Sequence, residues 1–230
     1  MGYYIERVYA FKSSYGNSRT IVFKRNTPPS NYFIEKSYLT KTYNMIIKNN
    51  FHIITGGPGV GKTTLINELQ KKQMNCIPEI AREIIKDQLK NNGQALPWKN
   101  AKEYSKLMLS HSVRDYVKLL DAPDLYFFDR GIPDTYAYEC LMSFDYDENL
   151  DRIVNKYRYN KIVFILPPWE EIYKMDSERK QDFQLAKETY HVIKDTYECL
   201  NYDLIEVPRL APAKRADFVK KILFHCYDFT

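Results

Sequence analysis

The run FHIITGGPGVGKTT, residues 51–64, constrains this chain more than any other stretch. Strand-forming residues Phe51 to Thr55 lead into Gly56, and the pattern continues with Gly61, Lys62 and Thr63 at phosphate-loop spacing. Such a loop turns successive backbone N–H groups inward, and its glycines permit the backbone angles and the close approach of an anion. The helix expected from Lys62 adds the positive end of its dipole. Gly56, Gly57, Pro58, Gly59, Val60, Gly61, Lys62, Thr63 and Thr64 are therefore the expected polyphosphate cradle. Lys62 reaches for the β- and γ-phosphates and Thr63 offers its hydroxyl to Mg²⁺. A strand before the loop and a helix after it make a βα unit, the seed of a parallel sheet.

The chain beyond repeats that rhythm. Apolar runs at 51–55, 75–79, 125–129, 161–166 and 203–207 alternate with longer stretches whose apolar residues recur three or four apart. Strands that are almost wholly apolar imply a sheet covered on both faces, an α/β sandwich of three layers. Ahead of Phe51 the pattern differs, so residues 1–50 read as an extension to a domain at 51–230. There YYIERVYAF and TIVFK flank the turn formers KSSYGNSR as a β-hairpin, and YFIEKSYLTKTYNMIIKNN reads as linker or helix.

Composition excludes several classes. The net charge of +5 comes from scattered lysines without a basic block, so no nucleic-acid partner is expected. No apolar run approaches the ~20 residues of a membrane helix. The four cysteines stand far apart, as free thiols do, and the chain reads as cytoplasmic.

Four further runs carry chemistry. In LYFFDRGIPDT, Asp129 ends an aromatic strand, where a carboxylate can hold Mg²⁺. Arg130 is placed for a phosphate, an acidic substrate or a structural ion pair. Asp134 better fits a complement to its helix dipole than a substrate contact. In IPEIAREII, Glu79 ends a strand on the same sheet edge as the loop, a place for a base acting on an attacking hydroxyl. Arg82, one helical turn on, can orient Glu79 or bind substrate. In PPWEEIYKMDSERKQDF, Arg179 and Lys180 suggest a cationic lid, and Trp169 a packing residue. In VPRLAPAKR, Arg209 is the candidate nucleotide contact. The guanine-reading pattern [NT]-K-x-D is absent there, which favours ATP while leaving GTP open.

Taken together, ITGGPGVGKTTLINEL, IPEIAREII, GQALPW, FFDRGIPDTYAY, YRYNKIVFILPPWEEIY and VPR resemble the NadR-type AAA-like P-loop domain. That kinase-like family is related to ribosylnicotinamide kinase domains and includes a GTP-binding trafficking regulator. The resemblance covers about residues 51–226. It implies a five-stranded parallel sheet in the order 2-3-1-4-5, and ATP or GTP with Mg²⁺. It carries phosphate binding to Gly56–Thr64, metal or catalytic duty to Asp129 and a substrate-side carboxylate to Glu79. The chain departs from the pattern at Lys180, where relatives carry a second arginine, and a lysine cannot make the planar bidentate contact.

The expected activity is transfer of the ATP γ-phosphate to a hydroxyl of a small, nucleoside-like molecule, with Lys62, Asp129, Glu79 and Arg179 as the working residues. The alternative is an ATP- or GTP-hydrolysing switch that controls a protein or lipid partner.

Overall fold

The computed structural model describes residues 7–12, 18–23, 33–37, 44–173 and 183–227. Its centre is a parallel sheet of five strands, β5 (Phe51–Gly56), β6 (Asn75–Ile77), β7 (Tyr126–Asp129), β9 (Ile162–Leu166) and β10 (Asp203–Glu206). They lie in the spatial order β10-β9-β5-β7-β6, all parallel. Counted from β5 as the first, that is the expected 2-3-1-4-5.

Side chains alternate across a strand, and here both faces are apolar. Ile53 and Phe128 face one layer, formed with Ile132 and Tyr136 of α4 (Ile132–Leu141), Tyr116 of α3 (Ala101–Lys118) and Ile193 and Tyr197 of α6 (Phe183–Cys199). Their neighbours Ile54 and Phe127 face the other layer, with Leu65 and Leu69 of α1 (Lys62–Lys71) and Ala216, Val219 and Leu223 of α7 (Pro212–Tyr227). Each fully buried Leu, Ile or Phe contributes about 1.5–3 kcal/mol of transfer free energy, so this double alternation fixes the register. A third, smaller cluster joins Ile80 and Ile84 of α2 (Ile80–Lys90) to Tyr104 of α3.

Two features escaped the periodicity. Helix α5 (Glu148–Lys156) has only nine residues, capped by the Asp147 side chain on the N–H groups of Asn149 and Leu150. The two-residue strand β4 (Ile46–Ile47) pairs in parallel with β8 (Tyr157–Arg158). The Tyr116 hydroxyl lies 3.0 Å from Ile46 O and 2.8 Å from Arg158 O, tying β4 to the body ahead of the Phe51 boundary.

In the extension, the two strands of the expected hairpin, β1 (Arg7–Lys12) and β2 (Ser18–Phe23), pair antiparallel. The reading of 32–50 as linker or helix is corrected by a third strand, β3 (Phe33–Ser37), which pairs with β2 in the register Val22↔Phe33. In that register Ile34 stands opposite Ile21, so the backbone ladder with β2 replaces the local helix. Cys76, Cys140 and Cys199 are free, as the spacing led one to expect. Among the described residues, no helix is long and apolar enough to cross a membrane.

Candidate functional site

The carboxyl ends of β5, β6 and β7 meet at one edge, and the register sets the spacing: Ile54 of β5 stands opposite Asp129 of β7. Past β5 the chain makes the phosphate loop. Gly56 has φ 140° and Gly61 φ 88°, angles in the region that favours glycine. A Cβ on Gly56 would also fall 2.6 Å from the Leu166 carbonyl oxygen of β9. Lys62 opens α1 and is 7% exposed. Its ammonium folds onto its own loop, donating to Gly56 O at 2.9 Å and Gly57 O at 2.7 Å. Burial lowers its pKa to about 8, and the nearby Arg130 charge pushes the same way. Thr63 and Thr64 line the cleft beside it.

Asp129 ends β7 at 6% exposure, and its Oδ1 has no hydrogen-bond partner. Burial raises its pKa to about 6, against the pull of Lys62. A buried, unpartnered carboxylate oxygen and an exposed threonine hydroxyl lining the same cleft offer the hard oxygen donors that Mg²⁺ takes, which phosphate and water would complete. The two residues expected to hold the metal therefore fit it.

Arg130 follows with φ 73°, a left-handed angle rare for arginine and costing on the order of 1–3 kcal/mol. The turn aims its guanidinium back into the site. Nε donates to Glu79 Oε1 at 2.7 Å and Nη1 to Asp134 Oδ1 at 3.0 Å. Glu79, at the entry to α2, also meets Arg82 Nε through Oε2 at 3.5 Å. Burial pushes the Glu79 carboxyl up, but the charges of Arg130 and Lys62 more than reverse this and hold it at about 2. The structure thus brings Lys62, Glu79, Arg82, Asp129 and Arg130 to one cleft.

Asp134 also lines the cleft, but its oxygens are spent. It accepts from Thr55 Oγ1 (2.6 Å), the Gly131 N–H (2.8 Å), the Tyr197 hydroxyl (2.6 Å) and Arg130. It caps α4 and anchors Arg130. Arg209 is another difference. Its Nε donates to Pro168 O at 3.1 Å, and it stands outside the cleft lining. Arg215 of α7 stands in the cleft instead, 4% exposed, with Nη1 donating to Val60 O of the phosphate loop at 3.3 Å. Its guanidinium lies 5.6 Å from the Trp169 ring, and its Nε has no partner. Arg179 and Lys180 fall outside the described residues.

The cleft holds about 1260 Å³, beyond the roughly 300–1,000 Å³ of a pocket for one small ligand. It runs from the phosphate loop, Trp169 and Arg215 past Asp129 and Glu79 to a second end between α2, α3 and α4.

A family profile described as an AAA domain matches residues 51–215. No curated protein sequence matches the chain. Among solved structures, a NadR protein in complex with NR is similar at TM-score 0.53 and 16% identity, over 74% of this chain and 49% of that one. This chain thus spans about half of that protein's length. A thymidylate kinase from Ehrlichia chaffeensis is similar at TM-score 0.49 and 17% identity, over 79% of this chain and 98% of that one. A shikimate kinase from Aquifex aeolicus has TM-score 0.45 and 12% identity, over 75% and 95%. At 16% identity the likeness to the NadR protein is one of fold.

Proposed function

This chain belongs to the AAA-domain family (AAA_28), and from its cleft we propose that it is a Mg²⁺-dependent phosphotransferase that moves the γ-phosphate of ATP to a hydroxyl of a small molecule. The observation that carries this reading is the pair of carboxylates in one cleft, Asp129 at the end of β7 and Glu79 at the N-cap of α2 just beyond β6, pushed apart by their surroundings. Asp129 is raised to about 6 and Glu79 lowered to about 2. Two carboxylates with separated pKa values in one cleft have separate duties.

The loop amides from Gly57 to Thr63 and the Lys62 ammonium bind the β- and γ-phosphates. Lys62 leaves the carbonyls of Gly56 and Gly57 for the phosphate oxygens, a better partner for its charge. Thr63 and Asp129 would hold Mg²⁺, which would supply charge neutralisation at the phosphates. Glu79, ionised at neutral pH, accepts the hydrogen bond of the attacking hydroxyl and orients it. Phosphoryl transfer through a loose transition state asks for positioning more than for a strong base, so a pKa of about 2 suits the task. Arg130 fixes Glu79 from one side and Arg82 from the other. Arg215, braced on Val60 O and over Trp169, keeps the loop in shape and offers its guanidinium to the nucleotide. The absence of a guanine-reading pattern supports ATP.

Incubation with ATP, Mg²⁺ and a panel of alcohols, sugars and nucleosides tests the proposal. A phosphorylated acceptor formed in step with ADP supports it. Release of free phosphate alone, for every acceptor, would assign the site to a hydrolytic switch.

A further inference from the structure

Resting on that reading, we propose that the acceptor is an amphipathic long-chain alcohol, its hydroxyl at Glu79 and its apolar body running between α2, α3 and α4 to the cleft mouth. The transferring phosphate must sit beside Lys62 and Asp129, so whatever carries the attacking oxygen can extend only into the second end of the cleft. That end is apolar. Ile85 and Leu89 of α2, Met108 of α3, and Leu141 with Met142 at the end of α4 line it. Along α2 the lane from Glu79 to Leu89 is about 15 Å at 1.5 Å per residue.

The mouth is the unusual part. Trp98 is 64% exposed, Leu89 56% and Met142 40%, and all three line this one cleft. Scattered surface hydrophobics are ordinary, but a group of large ones at a cavity rim marks a surface that is covered in use. Tyr104 and Tyr138 also line the lane, and the Tyr104 hydroxyl is already given to Ala81 O at 3.4 Å. The Tyr138 hydroxyl is buried without a partner, a ready donor for one oxygen near the acceptor's head. Asp115 is paired with Arg114 at 3.1 Å. A nucleoside base needs several edge-facing donors and acceptors, or it leaves its own polar groups buried and unpaired. Methionines, with three rotatable bonds, adapt to a flexible chain.

The step balances with ATP as the phosphoryl donor. The alcohol oxygen forms a bond to the γ-phosphorus, and the bond from that phosphorus to the β,γ-bridging oxygen breaks. Its electron pair leaves with ADP, and the hydroxyl proton passes through the Glu79 carboxylate to solvent. The products are an alkyl monophosphate and ADP.

The full chain with Mg²⁺ and ATP is assayed against linear primary alcohols from butanol to dodecanol and against nucleosides. The expected kcat/KM rises up to about fourfold per added methylene, equivalent to about 0.8 kcal/mol per buried CH₂, and levels off once the chain reaches Leu89. Leu89→Asp and Met142→Asp, both at exposed positions, flatten that slope, while ATP calorimetry on the same samples reports on the fold. Dodecanol also shifts tryptophan emission to the blue, and Trp98→Phe abolishes the shift. Alcohols are supplied free or embedded in phosphatidylcholine vesicles, which separates a soluble acceptor from a membrane-borne one. Turnover in either arm supports the proposal, and turnover in neither overturns it. Phosphorylated nucleosides with a flat alcohol series overturn the acceptor class and leave the phosphotransferase reading standing. Failure to bind ATP removes both.

Discussion

Replacing Asp129 by asparagine should make the nucleotide-free protein more stable while destroying Mg²⁺-dependent turnover. Asp129 is buried, its Oδ1 is unpartnered, and its pKa stands at about 6 against an ordinary 3.8. At 1.36 kcal/mol per pH unit, keeping that carboxylate ionised in the empty cleft costs the native state about 3 kcal/mol. The sign follows from proton binding. Between 3.8 and about 6 the folded chain holds more protons at this position than the unfolded one, so stability falls as pH rises through that window. Above it the cost is fully present, and below it absent.

The amide introduced by Asp129→Asn carries no charge but brings a buried N–H₂, which returns about 1 kcal/mol of the gain. The net gain at pH 7.5 is about 2 kcal/mol, or a Tm rise of about 4–8 °C at 2–4 °C per kcal/mol. At pH 5, where little over half of the cost has accrued, the gain shrinks to under about 1 kcal/mol. Thermal and urea unfolding of wild type and Asp129→Asn at both pH values, without nucleotide, measures this directly. Adding Mg²⁺ and ATP should then stabilise the wild type more than the variant. An Asp129→Asn protein less stable than wild type at pH 7.5 in the empty state would refute the reasoning, since it would make the carboxylate a structural partner.

Three further outcomes follow from the same geometry. Lys62→Ala should lower turnover about 100- to 1,000-fold, read by coupled ADP release, without lowering the Tm of the empty protein, because burial already disfavours this ammonium. Glu79→Gln should cost about 3 kcal/mol at neutral pH by leaving Arg130 without its closest carboxylate. The difference from wild type should fade as pH falls from 4.5 towards 2, because a lowered carboxyl pKa gives stability present above 4.5 and lost below, as acid titration of the unfolding midpoint will show. Gly61→Ala should cost about 1–3 kcal/mol and at least tenfold in ATP affinity by calorimetry. Its φ is 88°, and the new Cβ would lie 2.9 Å from Arg215 Nη1.

The parts of this site that were legible in the sequence are those whose chemistry is packed into contiguous residues. The phosphate loop and the strand end at Asp129 each announce themselves within a few positions, because a strand, a turn and a helix start are local. The expected strand 75–79, by contrast, stops at Ile77 and leaves Glu79 as the N-cap of α2. What was missed arises from contacts across the chain. Thr55 and Tyr197 converge on Asp134 from β5 and α6, and only the folded sheet brings those hydroxyls to one carboxylate. The strand β3 likewise exists because β2 offers it an edge. Arg215 is the instructive case. Helical periodicity places it on the stripe of Ala216, Val219 and Leu223, all buried, whereas Arg209 precedes the helix and faces outward. Reading the buried stripe of α7 would have pointed to Arg215 as the arginine that lines the cleft.

The charges in the cleft bear on how nucleotide and metal would bind together. Lys62 donates to the carbonyls of Gly56 and Gly57, and burial raises the Asp129 carboxyl to about 6. Each residue is short of the charge that the other's ligand would bring into the cleft, since Mg²⁺ beside Asp129 draws in the polyphosphate that Lys62 needs, and the polyphosphate draws in Mg²⁺. Glu79 and Arg130, by contrast, already neutralise each other at 2.7 Å and need nothing from the nucleotide. Nucleotide and metal should therefore bind with positive coupling that Asp129→Asn removes and Glu79→Gln leaves in place. Calorimetric titration of ATP with and without Mg²⁺ across the two variants measures that coupling, and an equal loss in both would show that the four charges act as one undivided cluster.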